Sequence, residues 1–131
     1  MDFFSKIFKD SITGPSRKIR QGFAMRYPDA RSIEWINQNG VFEAIFYEHD
    51  LEKIARFDLE GNFLEVRTNL SPDDIPSTVK ANIDSGMEIM NCIVADNNAS
   101  IFYELIVRNQ SLIRFLIIVD ESGTIIRNEK L

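Results

Sequence analysis

The sequence predicts an α+β fold in which one helix-plus-four-strand unit is used twice, and three observations carry that expectation. Apolar side chains recur every four residues in two short stretches, as on one face of a helix. Each stretch is followed by runs of alternating apolar and polar residues, separated by turns that carry Gly, Asn or Asp. The same landmarks then return at a nearly constant spacing. Val79 follows Ile19 and Ile83 follows Phe23 by 60 residues, Glu104 follows Glu43 by 61, and Asp120 and Gly123 follow Asp58 and Gly61 by 62. Two small insertions account for the drift.

In chain order, Ile19, Phe23 and Tyr27 form the stripe of a first helix over 16–27, which Pro28 stops. Strands are expected at 32–37, 41–48, 51–58 and 62–68. Asn39-Gly40 is a strong hairpin signal, because both central residues must accept positive φ; Asp58 to Gly61 offers an Asp to open a turn and a Gly to leave it. Residues 70–76 read as a linker, with Pro76 leading a second helix whose stripe is Ile75, Val79 and Ile83 and whose end is Gly86. Strands follow at 88–95, 101–108, 111–120 and 124–128. The expected organisation is an amphipathic segment 1–14, a first repeat 15–70 and a second repeat 71–131, sharing one structural domain.

Strand alternation assigns the faces. Phe42, Ala44, Phe46, Ala55 and Phe57, with their counterparts Tyr103, Leu105, Val107, Ile117 and Val119, are expected to face the helices as the core. Glu43 and Glu104 then point outward. Ile45, Tyr47, Ile54, Ile106, Leu116 and Ile118 share that outward side and are the candidate partner-binding residues, together with Phe4, Ile7 and Phe8 of the first segment.

The composition bounds the function. At 131 residues, with 44% hydrophobic side chains and ten Phe, the chain can bury a real core as one domain or as two small lobes sharing one. A net charge of −5 would repel a polyphosphate, so nucleic acid is not expected as a partner. The longest apolar run, Phe115 to Val119, is far short of the roughly 20 residues of a membrane-spanning helix. Charges at Asp2, Lys6, Lys9 and Asp10 interrupt any signal-peptide-like run, which as printed places the chain in the cytoplasm.

Chemistry finds little to stand on, and no catalytic, metal or cofactor-binding residue is expected. Cys92 is the only cysteine, so neither an intrachain disulfide nor a cysteine-ligated metal cage can form, and it reads as a packed strand residue. His49, the only histidine, reads as an exposed turn residue beside Asp50. Glu43 and Glu104 could suggest a carboxylate pair, but duplication explains them, and a solvated charge or a partner to Arg56 or Arg108 is the simpler role. Asp58 and Asp120 belong to turns and offer too few oxygens for a calcium loop. The glycines, at 14, 22, 40, 61, 86 and 123, form no phosphate-binding loop. Arg17, Lys18, Arg20 and Arg26 make a solvated basic helix face.

In the first segment Phe4, Ile7, Phe8 and Ile12 make an apolar stripe. Burying it would contribute on the order of 6 to 12 kcal/mol, against about 12 to 24 kcal/mol for ordering a dozen backbone residues. The stripe could therefore dock in cis, build a homodimer or lie on a membrane surface, the last disfavoured by Asp2 and Asp10.

The proline-led helix, Tyr27-Pro28, the Trp35 strand, FEAIF at 42–46, FDLEG at 57–61 and IPSTVKANI at 75–83 together resemble the PepSY-like proteins grouped with the β-lactamase-inhibitor-protein (BLIP-like) fold, small bacterial proteins common in the Bacteroidetes. The resemblance spans about Pro15 to Leu131. It implies an eight-stranded antiparallel sheet with the helices on one face, to which the first segment adds an extra N-terminal helix. It also implies a binding or inhibitory module without catalysis. Family members mostly carry an export signal, which would mean the periplasm if this chain were processed. No inhibitory contact motif for a β-lactamase is matched. The expected function is a non-enzymatic protein-interaction module, its partner unknown, with a small-ligand carrier or sensor using an apolar pocket between sheet and helices, lined by Trp35, Phe42 and Phe63, as the alternative.

Overall fold

The structure is a computed structural model that describes residues 14–131. The stripe of Phe4, Ile7, Phe8 and Ile12, and the extra helix expected there, lie outside the described residues. The order of elements is α1 (Arg17–Arg26), β1 (Arg31–Gln38), β2 (Val41–Glu48), β3 (Leu51–Asp58), β4 (Phe63–Leu70), a 3-10 turn (Pro72–Asp74), α2 (Ser77–Lys80), β5 (Glu88–Asp96), β6 (Ile101–Arg108), β7 (Arg114–Asp120) and β8 (Ile125–Lys130). A helix and four strands thus occur twice, and the strands form an eight-stranded antiparallel sheet whose order follows the chain. By contacts the chain divides into two compact units, one ending at Leu64 and one from Glu65 to Leu131. That boundary falls inside β4 and not at 70/71, where the sequence pattern restarts, because Val66–Leu70 pair with Cys92–Asp96 of β5. Most of β4 therefore belongs, by contact, with the strand that follows it.

In the first unit, α1 begins where the Ser16 hydroxyl accepts a hydrogen bond from the Ile19 N–H, and it ends where the Tyr27 N–H reaches the Phe23 carbonyl, just before Pro28. Its stripe of Ile19, Phe23 and Tyr27 is buried against Phe42, Ala44 and Phe46 of β2 and Ala55 and Phe57 of β3, the residues whose alternation assigned them inward. The core is aromatic: Phe23 meets Phe46 edge-on at 4.9 Å and Trp35 at 5.3 Å between ring centroids. Arg26, read as solvated, lies 3.8 Å over the Phe63 ring and caps the cluster as a cation–π contact.

In the second unit, Ile75 and Val79 pack with Cys92, Leu105, Val107, Ile117 and Val119 into an almost wholly aliphatic core, with Tyr103 and Phe115 at its margin. Two expectations need correction here. The second helix does not run to Gly86; it is the four residues Ser77–Lys80. Ile83 donates its N–H to Lys80 in a tight turn, and Asp84 accepts from the Met87 and Gly86 N–H groups, so the chain turns locally instead of extending the helix. β7 begins at Arg114 and not at 111, because Leu112 stands at φ 64° and the Asn109 side chain accepts from the Ile113 N–H, closing a loop over 109–113.

Candidate interaction face

Pairing registers decide which side chains share the face opposite the helices. In the first unit Ile45 stands directly across from Ile54, Glu43 from Arg56, Tyr47 from Glu52 and Ile36 from Glu43. The Arg56 guanidinium reaches Glu43 at 3.5 Å, as one of the two sequence-level alternatives expected. Ile45 and Ile54 are half-buried, and Tyr47 is 46% exposed.

In the second unit Ile106 stands across from Leu116, and Glu104 lies between Ile93 and Ile118. The Glu104 carboxylate takes its partner from β4: Arg67 approaches to 2.6 Å, while Arg108, the expected alternative, turns to Glu88. Ile106, Leu116 and Ile118 are half-buried. Each unit therefore presents a central Glu–Arg pair set among branched apolar side chains, on the side away from its helical residues. Glu43 and Glu104 are only 19% and 25% exposed, so each charge is partly desolvated and its arginine has a reason to be there.

Arg67, Ile93 and Phe102 were not legible as members of this face. Phe102 could have been found by alternation from Glu104. Arg67 and Ile93 depend on the β4–β5–β6 register, which includes an irregularity between Ile89 and Asn91 that a linear pattern does not show.

Two aspartates, the cysteine and the histidine are set by their local surroundings. Asp58 accepts hydrogen bonds from the Asn62 side chain and from the Asn62 and Glu60 backbone, and these hold its carboxyl below the usual aspartate range. Asp120 repeats the arrangement with the Ser122 hydroxyl and the Thr124 and Ser122 backbone, with the same effect. Cys92 is fully buried, and burial pushes its thiol up to about 11, far from a reactive thiolate at neutral pH. His49 is exposed at φ 52° in the β2–β3 turn, its Nε2 3.6 Å from Asp29. Trp35 and Phe63 each close on Phe57, at 6.2 and 5.9 Å between centroids, so these rings pack on one another near the expected pocket. Among the described residues, open depressions lie beside Pro28, Arg31 and His49 and beside Lys80, Asp84 and Met87.

The face and the doubled α-β4 order define a class of architecture, the α+β BLIP-like fold. Among solved structures the chain is similar to a BLIP-like protein from Bacteroides fragilis, with TM-score 0.78, 19% identity and coverage of 89% of this chain and 86% of that one. It is similar also to a DUF2874 family protein from Bacteroides uniformis, with TM-score 0.77, 19% identity and 88% of each chain covered. A protein from Bacteroides eggerthii, provisionally named as periplasmic, matches with TM-score 0.77 at 15% identity over 88% of each chain. At these identities the likeness is one of fold, and none of these names carries the PepSY-like part of the resemblance. No family model matches the chain, and no curated protein matches it. Among the described residues no helix is long and apolar enough to cross a membrane.

Proposed function

We propose that the chain is a non-enzymatic interaction module of the PepSY-like and BLIP-like type, which binds a protein partner on the sheet side opposite its helices. The supporting observation is the apolar outward set, Ile45, Tyr47 and Ile54 in the first unit and Ile106, Leu116 and Ile118 in the second, in each unit beside a partly desolvated Glu–Arg pair. A solvated face would carry polar side chains at these positions, whereas a recognition surface combines apolar area with a few fixed charges. The Bacteroides eggerthii name is consistent with work outside the cytoplasm, and cell fractionation of the native protein decides the compartment.

The test is affinity capture from native lysate by the wild-type chain and by Tyr47→Ala and Ile118→Glu. A partner retained by the wild type and lost with at least one of the variants, each with an unchanged thermal midpoint, is the expected result. A partner held equally by all three would sink the assignment to this face.

A further inference from the structure

The second unit exposes a sheet edge that is complementary to itself, and we propose that two copies of the chain associate by pairing β8 with β8, antiparallel, about a two-fold axis at Asn128. What the edge offers is backbone groups and charges, the charges flanking Leu116 and Ile118 of the face described above. Among the described residues β8 is paired with β7 alone, and all six of its residues are exposed.

The hydrogen-bonding pattern says which groups are left over. Leu131 donates its N–H to the Arg114 carbonyl, and in an antiparallel ladder alternate residues face the same neighbour. Residues 129 and 127 therefore face β7 with Leu131, while the N–H and C=O groups of Lys130 and Asn128 point to the open edge. Two such edges meeting at Asn128 exchange both hydrogen bonds there; the regular ladder extends from Arg127 to Lys130, because the β7–β8 register shifts at Ile126, between the pairs Ile118–Arg127 and Val119–Ile125.

The same register makes the charges complementary. Placing Asn128 on the axis sets Arg127 of each copy directly opposite Glu129 of the other, at a closely spaced position of the ladder where side chains meet. Arg127 and Glu129 already form an ion pair within the chain, on the side of the sheet carrying Leu116 and Ile118. In the dimer four charges would alternate in sign. An unrelated strand would need this order by coincidence, whereas a second copy supplies it by symmetry.

β1, at the other end of the strand order, is the poorer edge for pairing. Both edge strands carry a register shift, but β1 also holds Ser32 at φ 55°, a left-handed kink of the kind that blunts edge pairing, whereas no residue of β8 has a positive φ. Pairing through β8 alone closes at two copies.

Sedimentation velocity on the full chain over a concentration series tests the proposal. The wild type is expected to show a monomer–dimer equilibrium. Glu129→Arg, which opposes like charges across the axis, should raise the dissociation constant by about tenfold or more. Arg127→Glu combined with Glu129→Arg should restore the dimer, and Asn128→Pro, which removes an outward N–H, should abolish it. A wild type monomeric throughout, a dimer indifferent to Glu129→Arg and Asn128→Pro, or a failed rescue by the double reversal would each overturn it. Should a variant fold poorly, hydrogen exchange on the wild type decides independently: the Asn128 and Lys130 amides must gain protection as concentration rises, and no gain would refute the pairing.

Discussion

Gly123 stands at φ 94° and is buried, and a β-carbon built there would run into the Thr78 carbonyl of α2. Its counterpart Gly61, at φ 91°, would place a β-carbon 3.4 Å from Ile19 Cγ1, an ordinary contact, with Lys18 beside it. Lys18 and Thr78 are themselves 60 residues apart, so the doubling preserves a helix residue against a turn glycine. The two glycines nevertheless answer to different constraints. Gly61→Ala should cost about 1 to 2 kcal/mol, the strain of a left-handed alanine; Gly123→Ala should cost more, since backbone must also move. Urea unfolding of both variants gives the comparison, and equal losses would contradict it. Asn82, whose side-chain amide donates to the Gly123 carbonyl, ties the same turn to the chain beyond α2.

At the scale of elements, the paired Asp turns explain themselves. Asp58 and Asp120 each accept several N–H or O–H donors as carboxylates, which lowers their pKa in the folded chain. A group with a lowered folded pKa binds fewer protons than in the unfolded chain, so its stabilisation is present above the unfolded value, about 3.9, and is lost as pH falls through the folded one. The urea midpoint should therefore drop on acidification below about pH 4. Asp58→Asn with Asp120→Asn should flatten that limb, and an unchanged acid slope would count against the turns as its source. The hairpins were legible from Asn39-Gly40, whose φ values of 51° and 80° are those the motif requires. The second helix was not. Ile75, Val79 and Ile83 kept helical spacing, yet only Ile75 and Val79 are fully buried, and Asn82, Asp84 and Gly86 favour local turns over another helical turn.

Across the whole molecule, the doubling conserved positions and not side-chain chemistry. The first core is built around Phe23, Trp35, Phe46 and Phe57, the second around Val79, Leu105, Val107 and Val119. Trp35 therefore reports the packing of the first unit. Phe23→Leu, which removes the ring 5.3 Å from Trp35, should change the near-UV circular dichroism of the native protein. Leu105→Ala should lower stability by about 2 to 5 kcal/mol and leave the native band shape intact. A near-UV spectrum altered by Leu105→Ala and untouched by Phe23→Leu would reverse that assignment.

The α-β4 order, the inward residues and the outward apolar set were readable from sequence alone, because alternation and helical spacing are local consequences of backbone geometry and the repeat supplied two copies of each signal. Tertiary structure decided what depends on register between strands: that Arg67 and not Arg108 pairs with Glu104, that Ile93 joins the outer face, and that β4 is held by β5. It decided also that the Lys130 and Asn128 backbone groups point to an open edge. Such facts join residues far apart in the chain, and a one-residue slip in pairing would exchange every one of them without altering the pattern along the sequence.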